Sequence, residues 1–167
     1  MSYFLPWMCT LRVSNFGFRF FWGGLYVRAS FANEITGAVI DASLQIHRDL
    51  GPGLLESVYL RVLAWELSRR GFSVQAKKRA LEYKGMTFQS GLRLDLLLND
   101  LVVVELKSLE SVAPVHLKQL LTYLRLLHLP VGLLLNFGAP TLKEGIHRVV
   151  NGLDEKKAGN LPPRQGY

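Results

Sequence analysis

Two short stretches of this chain carry charges where a buried strand would be expected to hold only hydrocarbon. In Val102-Val103-Val104-Glu105-Leu106-Lys107 the period of two puts Glu105 and Lys107 on one face, with Val102, Val104 and Leu106 on the other. In Leu92-Arg93-Leu94-Asp95-Leu96-Leu97-Leu98 the same alternation groups Asp95 with Arg93. A carboxylate in such surroundings is costly unless a cation or a donor meets it, a part that Lys107 or a bound metal would fill. Two carboxylates and a backbone carbonyl are hard oxygen ligands, which favour magnesium or manganese over zinc. Such an ion polarises a phosphate and activates water, while Lys107 orients that water or neutralises charge building up on the phosphorus centre. That is the chemistry of phosphodiester hydrolysis. Taken alone, the Glu-x-Lys spacing is too short to separate this reading from an ordinary strand with an exposed ion pair.

A shared site makes a demand on the hairpin between the two stretches. Directly opposed residues of an antiparallel pair point to the same face. A two-residue turn at Asn99-Asp100 pairs Leu98 with Leu101 and leaves Asp95 facing away from Glu105. A three-residue loop pairs Leu98 with Val102 and sets Asp95 opposite Glu105, and a bulge does the same. The expectation is therefore one of these two, and a regular two-residue turn would count against the site.

The elements around these strands follow from periodicity and punctuation. Ile35, Val39, Ala42 and Ile46 recur at helical spacing behind Asn33 as an N-cap, and Gly51-Pro52-Gly53 stops that helix. A second helix is expected from about Leu55 to Arg70, burying Val58, Val62 and Leu63, with Gly71 as its stop. Short strand-like runs follow at 72–76, 80–83 and 86–89, the last after a Lys84-Gly85 turn. Pro114 opens a third helix with an apolar stripe of Leu117, Leu120, Leu121, Leu124 and Leu127. Val131 to Leu135 reads as a buried central strand, and a short final helix is expected at about 142–150. This order gives an α/β class with a mixed sheet flanked by helices.

Composition bounds the rest. The 167 residues suffice for one domain, and 49% apolar with 20% charged residues excludes wholesale disorder. One cysteine, Cys9, excludes an intramolecular disulfide framework and a Cys-based zinc cluster, which reads as a cytoplasmic protein. The net charge of +7 points to a polyanionic partner, most simply nucleic acid. Residues 1–33 nevertheless hold ten of the eighteen aromatics, three arginines and no acid, whereas 34–153 carry fourteen basic against eleven acidic residues. Neither a signal peptide nor a membrane span fits the first segment, since Arg12, Arg19 and Arg28 interrupt every apolar run. It is expected to be an extension outside the fold, although Phe16 to Trp22 could also lie on a membrane surface or stack on bases. The polar tail from 152 is expected to be disordered. The expected working domain is 34–151.

Two further motifs flank the Asp95 to Glu105-x-Lys107 set of the charged strands, Gly53-Leu54-Leu55-Glu56-Ser57-Val58-Tyr59 before it and Gln119-Leu120-Leu121-Thr122-Tyr123 after it. Together they resemble the PD-(D/E)xK nuclease superfamily, and within it the GxxExxY family and the RecB-like branch with its Q-x-x-x-Y motif. The likeness runs from about Ile35 to Asn151, and the chain departs from the signature only in having Leu94 where a proline precedes the aspartate. The resemblance implies a restriction-endonuclease-like core of αβββαβ order and a Mg2+ or Mn2+ ion at the strand ends. It implies Asp95 and Glu105 as ligands, Leu106 as a carbonyl ligand, Lys107 as the catalytic lysine and Glu56 as a further ligand or base. Gln119 and Tyr123, with Tyr59 and Arg93, would support the metal shell or contact substrate. Each has a plainer reading: Glu56 favours the positive end of a helix dipole, Tyr59 is a core residue, and Gln119 is a surface amide. His47, His116, His128 and His147 show no ligand spacing. Lys77-Lys78-Arg79 is a solvated turn or a phosphate contact. A divalent-metal nuclease acting on DNA or RNA is the leading expectation. A non-catalytic nucleic-acid-binding or assembly module on the same fold is the alternative, and a homodimer is compatible with either.

Overall fold

Ile35, Val39, Ala42 and Ile46 become one buried stripe on α1 (Gly23–Leu50), as their spacing requires. A computed structural model describes residues 23–152 of the chain. Helix α2 (Glu56–Arg69) follows, then strands β1 (Val74–Tyr83), β2 (Met86–Leu98) and β3 (Val102–Lys107). Helix α3 (Pro114–Leu127), strand β4 (Val131–Asn136), the four-residue α4 (Leu142–Gly145) and strand β5 (Ile146–Val150) complete the order. The strands form one mixed sheet in sequence order, antiparallel except for the parallel β3–β4 pair, which α3 connects. This is the expected α/β architecture of a mixed sheet with flanking helices. The expectations for residues 1–22 and for the tail beyond 152 lie outside the described residues.

Two apolar layers cover the sheet. Val102, Val104 and Leu106 of β3 and Val131, Leu133 and Leu135 of β4 pack with α1 and α2. Val103 and Leu134, one residue out of phase, pack with Leu120 and Leu124 of α3. Strands covered on both faces read as continuous apolar runs, which is why β3 and β4 contain so little else. Against that background Glu105 is one of only four buried polar or charged residues among those described.

Four expectations are corrected. Asn33 is not an N-cap: α1 runs through it, Ala32 is already buried, and the Asn33 Oδ1 instead accepts a hydrogen bond from Arg148 Nη2 at 2.7 Å. On α2 the inward face is Tyr59, Leu63 and Leu67 at four-residue steps, so Val58 turns outward and stays 38% exposed. The short runs at 72–76 and 80–83 fuse into β1, and those at 86–89 and 92–98 into β2. Register shifts between Gln75 and Lys77 and between Arg79 and Leu81 absorb the irregular residues. Lys77-Lys78-Arg79 therefore lies within β1 and not in a turn. Finally, the predicted last helix keeps only Leu142–Gly145, because Ile146-His147-Arg148-Val149-Val150 pairs with β4 from Val131↔Val150 to Leu135↔Ile146. Its β-branched residues favour that pairing.

The loop on which the charged strands depend has the expected three residues. Leu98 pairs with Val102 and Leu96 with Val104, leaving Asn99, Asp100 and Leu101 outside the ladder. Asn99 and Asp100 both take positive φ (49° and 52°), a conformation that Asn and Asp tolerate better than most residues. Leu101 N donates to Leu98 O at 2.9 Å to close the turn. Ser73 fixes the loop from outside, its N–H donating to Asn99 Oδ1 at 2.8 Å and its carbonyl accepting from Asn99 N at 2.9 Å.

Two glycines test the packing. A methyl group on Gly145 would collide with the Asn136 carbonyl, whereas one on Gly37 in α1 would meet nothing within 4 Å. Gly145→Ala should therefore cost about 1–3 kcal/mol through overpacking. Gly37→Ala should stabilise by up to about 1 kcal/mol through helix propensity. Thermal melts of the two variants should move in opposite directions from the parent.

Candidate active site

Strands β2 and β3 separate just past the Leu96↔Val104 pair, and the charged residues stand in the opening. Where the next ladder bond would fall, the Leu106 N–H instead donates to Asp95 Oδ2 at 2.9 Å. A β2 register shift against β1 lies at the same level, between the Leu97 and Leu94 pairings, and it moves Leu94 into the α3-side cluster beside Leu97. Strict alternation of Asp95 with Leu94 and Leu96 therefore does not hold through this point. The bulge frees Asp95 from the ladder and lets its carboxylate reach along β3.

Glu105 follows Val104 at the point where β3 leaves β2, and it is buried to 8% exposure. Its Oε1 accepts from Lys107 Nζ at 3.2 Å, and its Oε2 has no hydrogen-bond partner among the described residues. Burial, the nearby Asp95 charge and, less strongly, Glu56 push the Glu105 carboxyl up to about 7, against the opposing pull of Lys107. Lys107 Nζ also donates to the Leu106 carbonyl at 2.7 Å and lies 3.9 Å from Glu56 Oε2. Glu56 arrives from the first residue of α2, so three of the predicted residues, Glu105, Leu106 and Glu56, converge on the Lys107 ammonium. Asp95 joins them through the Leu106 peptide.

No cluster of three or more His, Cys, Asp or Glu among the described residues is arranged to hold a metal through side chains alone. The set present is Asp95, Glu105 with its orphaned Oε2, and the Leu106 carbonyl. All are hard oxygen donors, and two carboxylates with several waters suit Mg2+ or Mn2+ better than a soft-ligand metal. An unpaired buried carboxylate oxygen is the kind of group that a cation satisfies. The residues therefore fit a divalent ion.

The remaining predicted residues divide. Tyr59 is fully buried and stacks on Phe137 with ring centroids 4.3 Å apart. Its hydroxyl donates to Gly51 O at 2.5 Å and accepts from Leu54 N at 3.2 Å, so it fixes the loop leading into Glu56. Gln119 Nε2 donates to Tyr123 Oη at 2.8 Å on the outer part of α3, and this pair has no described contact with Asp95, Glu105 or Lys107. Arg93 is exposed on β2. His47 bonds the Ala139 carbonyl and His116 the Ala113 N–H, structural partners in both cases.

Sequence reasoning missed the residues that hold the far wall. Asn136 is buried at the end of β4, its Oδ1 accepting from Leu109 N and Gly138 N and its Nδ2 donating to Leu109 O. Gly138 lies so close to the Leu109 backbone that any side chain would collide there. Ser108 Oγ donates to Leu54 O at 2.8 Å, joining the segment after Lys107 to the loop before Glu56. Between them opens a cleft of about 620 Å³ lined by Gly53, Leu54, Leu55, Glu56, Ser108, Leu109, Glu110 and Gly138. A polar Asn ending the apolar run Val131 to Leu135 was the available signal for this wall.

Compared with known proteins, the chain matches the family described as the PD-(D/E)XK nuclease superfamily over residues 33–149. No curated protein matches it. A solved structure reported as "Crystal structure of SSO0001" is 19% identical, with 78% of this chain and 65% of that one covered and a TM-score of 0.35. The chain thus spans less than two thirds of that protein, and a likeness of this degree adds nothing to the reading of the site.

The raised Glu105 carboxyl has a defined consequence for stability. Its folded pKa lies above the unfolded value of 4.5, so its contribution is full below about 4.5 and is lost as pH rises through about 7. Glu105→Gln mimics the protonated form at every pH. In chelator the variant should melt with the parent near pH 4.5 and several degrees above it at pH 8. Magnesium or manganese at pH 8 should raise the parent's melting temperature and leave the variant's unchanged.

Proposed function

The chain belongs to the PD-(D/E)XK nuclease superfamily, and from that premise we propose that it hydrolyses phosphodiester bonds of DNA or RNA with a divalent metal ion. The observation that carries this is the buried Glu105 with one satisfied and one orphaned oxygen, beside Asp95 and within reach of Lys107. A pure binding surface gains nothing from a desolvated carboxylate held next to two other acids. The Gly53 to Tyr59 motif and the Gln119 to Tyr123 pair support assignment to the GxxExxY family and the RecB-like branch. The single cysteine accords with action in the cytoplasm, and no described helix is long and apolar enough to cross a membrane.

In this proposal Asp95, Glu105 and the Leu106 carbonyl would hold the ion, Mg2+ or Mn2+, which when bound would supply Lewis acidity toward the scissile phosphate and its attacking water. Asp95 is aimed by the Leu106 N–H, so the amide and the carbonyl on either side of one residue orient and complete the ligand set. Lys107 Nζ, bonded to Glu105 Oε1 and the Leu106 carbonyl, can turn a proton toward the phosphate oxygen on which charge accumulates. Glu56, 43% exposed and 3.9 Å from that ammonium, takes the proton from the attacking water. Tyr59 positions Glu56 through the loop at Gly51 to Leu54. The working unit is residues 34–151, with the eleven preceding residues of α1 continuous with it.

Labelled single- and double-stranded DNA and RNA, incubated with magnesium, manganese or chelator, test the reading. Cleavage should require the metal, and Lys107→Ala or Glu105→Gln should reduce it by about 10²-fold or more. Salt-sensitive binding with no cleavage under any metal would instead identify a non-catalytic nucleic-acid-binding module.

A further inference from the structure

Helix α2 carries a second feature on the side away from Glu56. Its inward residues Tyr59, Leu63 and Leu67 are buried, and the opposite face presents Val58, Arg61, Trp65 and Arg69 at helical spacing. Trp65 is 58% exposed, and Leu55, just before the helix, is 74% exposed. An indole left in water in this way is unusual, because aromatic side chains supply much of the burial in a domain of this size.

The charges on this helix are distributed unevenly. Its two acids face elsewhere: Glu56 toward Lys107 and Glu66 toward Arg70, which also bonds Asp41 and Gln45. Arg61 and Arg69 have no carboxylate within ion-pair distance among the described residues. The Arg69 guanidinium lies instead over the Trp65 ring, 4.8 Å from its centroid. The outer face of α2 is therefore an exposed aromatic group between two uncompensated cations. At its near end Leu55 lines the cleft that contains Glu56.

We propose that the outer face of α2 binds single-stranded nucleic acid, with an unpaired base on Trp65 and flanking phosphates on Arg61 and Arg69. Positive charge with no carboxylate in ion-pair distance suits a polyanion, and a flat exposed ring suits a nucleobase π-face. A duplex keeps its bases stacked on one another and offers no face to the indole. Trp65 lies nine residues along the helix from Glu56, about 14 Å of axial rise, so the strand would pass from the cleft over Leu55 and onto this face. This assigns a substrate class to the site described above and rests on that reading for its catalytic part only.

The test measures binding by the full-length chain in chelator, so that cleavage plays no part. The probes are a fluorescein-labelled 12-nucleotide single strand, the matching duplex, and inorganic polyphosphate as a competitor that has charge but no bases. The single strand should bind more tightly than the duplex. Trp65→Ala should weaken single-strand binding about tenfold, in line with one lost stacking contact, and Trp65→Phe should restore most of it. Arg61→Gln with Arg69→Gln should reduce the salt slope by about one to one and a half. Polyphosphate competition should not respond to Trp65→Ala. Equal affinity of the parent and Trp65→Ala for the single strand overturns the proposal. So does a dimer in solution that Trp65→Ala converts to monomer, because a second copy would then be what covers the ring. Trp65-dependent binding in a protein that cuts no nucleic acid keeps this proposal and removes the nuclease reading. Metal-dependent cleavage with Trp65-independent binding does the reverse.

Discussion

The Leu106 peptide is bonded in three directions, and the arrangement of the site follows from it. Its N–H would ordinarily continue the β2–β3 ladder, but it donates to the Asp95 carboxylate instead. Its carbonyl accepts from Lys107 Nζ, and its side chain is buried against α1 and α2. Because the N–H goes to a side chain, the two strands can separate without leaving a buried backbone donor unpaired. The opening thus made is where Glu105 and Lys107 stand. Were the ladder to continue regularly, Asp95 would lose its donor and the strands would close over the opening.

That arrangement has an energetic cost, and the rest of the fold offsets it. Glu105 is desolvated, close to two other acids, and leaves one oxygen unsatisfied. Such a group persists only where its surroundings are over-determined. Here β3 lies between β2 and β4 with both faces packed, and the ladder to β4 extends through Lys107↔Asn136. Asn136 then ties the outgoing chain at Leu109, while Ser108 and Tyr59 tie the loop before Glu56. The acid on α2 and the lysine on β3 are thus held from opposite sides by side-chain to backbone bonds, leaving little freedom for the charged groups to relax apart.

Most of this was legible in the sequence where a rule of period or register applied. Glu105 and Lys107 could be placed on one face by counting twos, and the need for a three-residue loop followed from requiring Asp95 to face Glu105. The structure has that loop. What failed did so where tertiary contact overrode local pattern. Ile146 to Val150 reads as a helix by continuation from Leu142, yet a free edge of β4 is available and β-branched residues pair with it. Asn33 resembles a cap because the acidic and apolar periodic residues begin after it, but the helix had already begun at Gly23. The Asn136 wall could not be found by motif, since its bonds go to backbone groups twenty-seven residues away in sequence.

Net charge is a poor guide to where this chain presents unpaired positive charge, and the structure shows why. The +7 total counts every basic residue alike, including Arg70, which two acids and an amide occupy, and Lys107, which lies among carboxylates. Neither can offer a whole positive charge to a distant phosphate, since their fields are largely cancelled within a few ångströms. Arg61 and Arg69 retain theirs because the two acids of the helix face Lys107 and Arg70 instead. The distribution of acids, more than the number of bases, therefore decides which surface of this chain presents unpaired positive charge. The same distribution keeps the interior of the site acidic enough to favour a divalent cation.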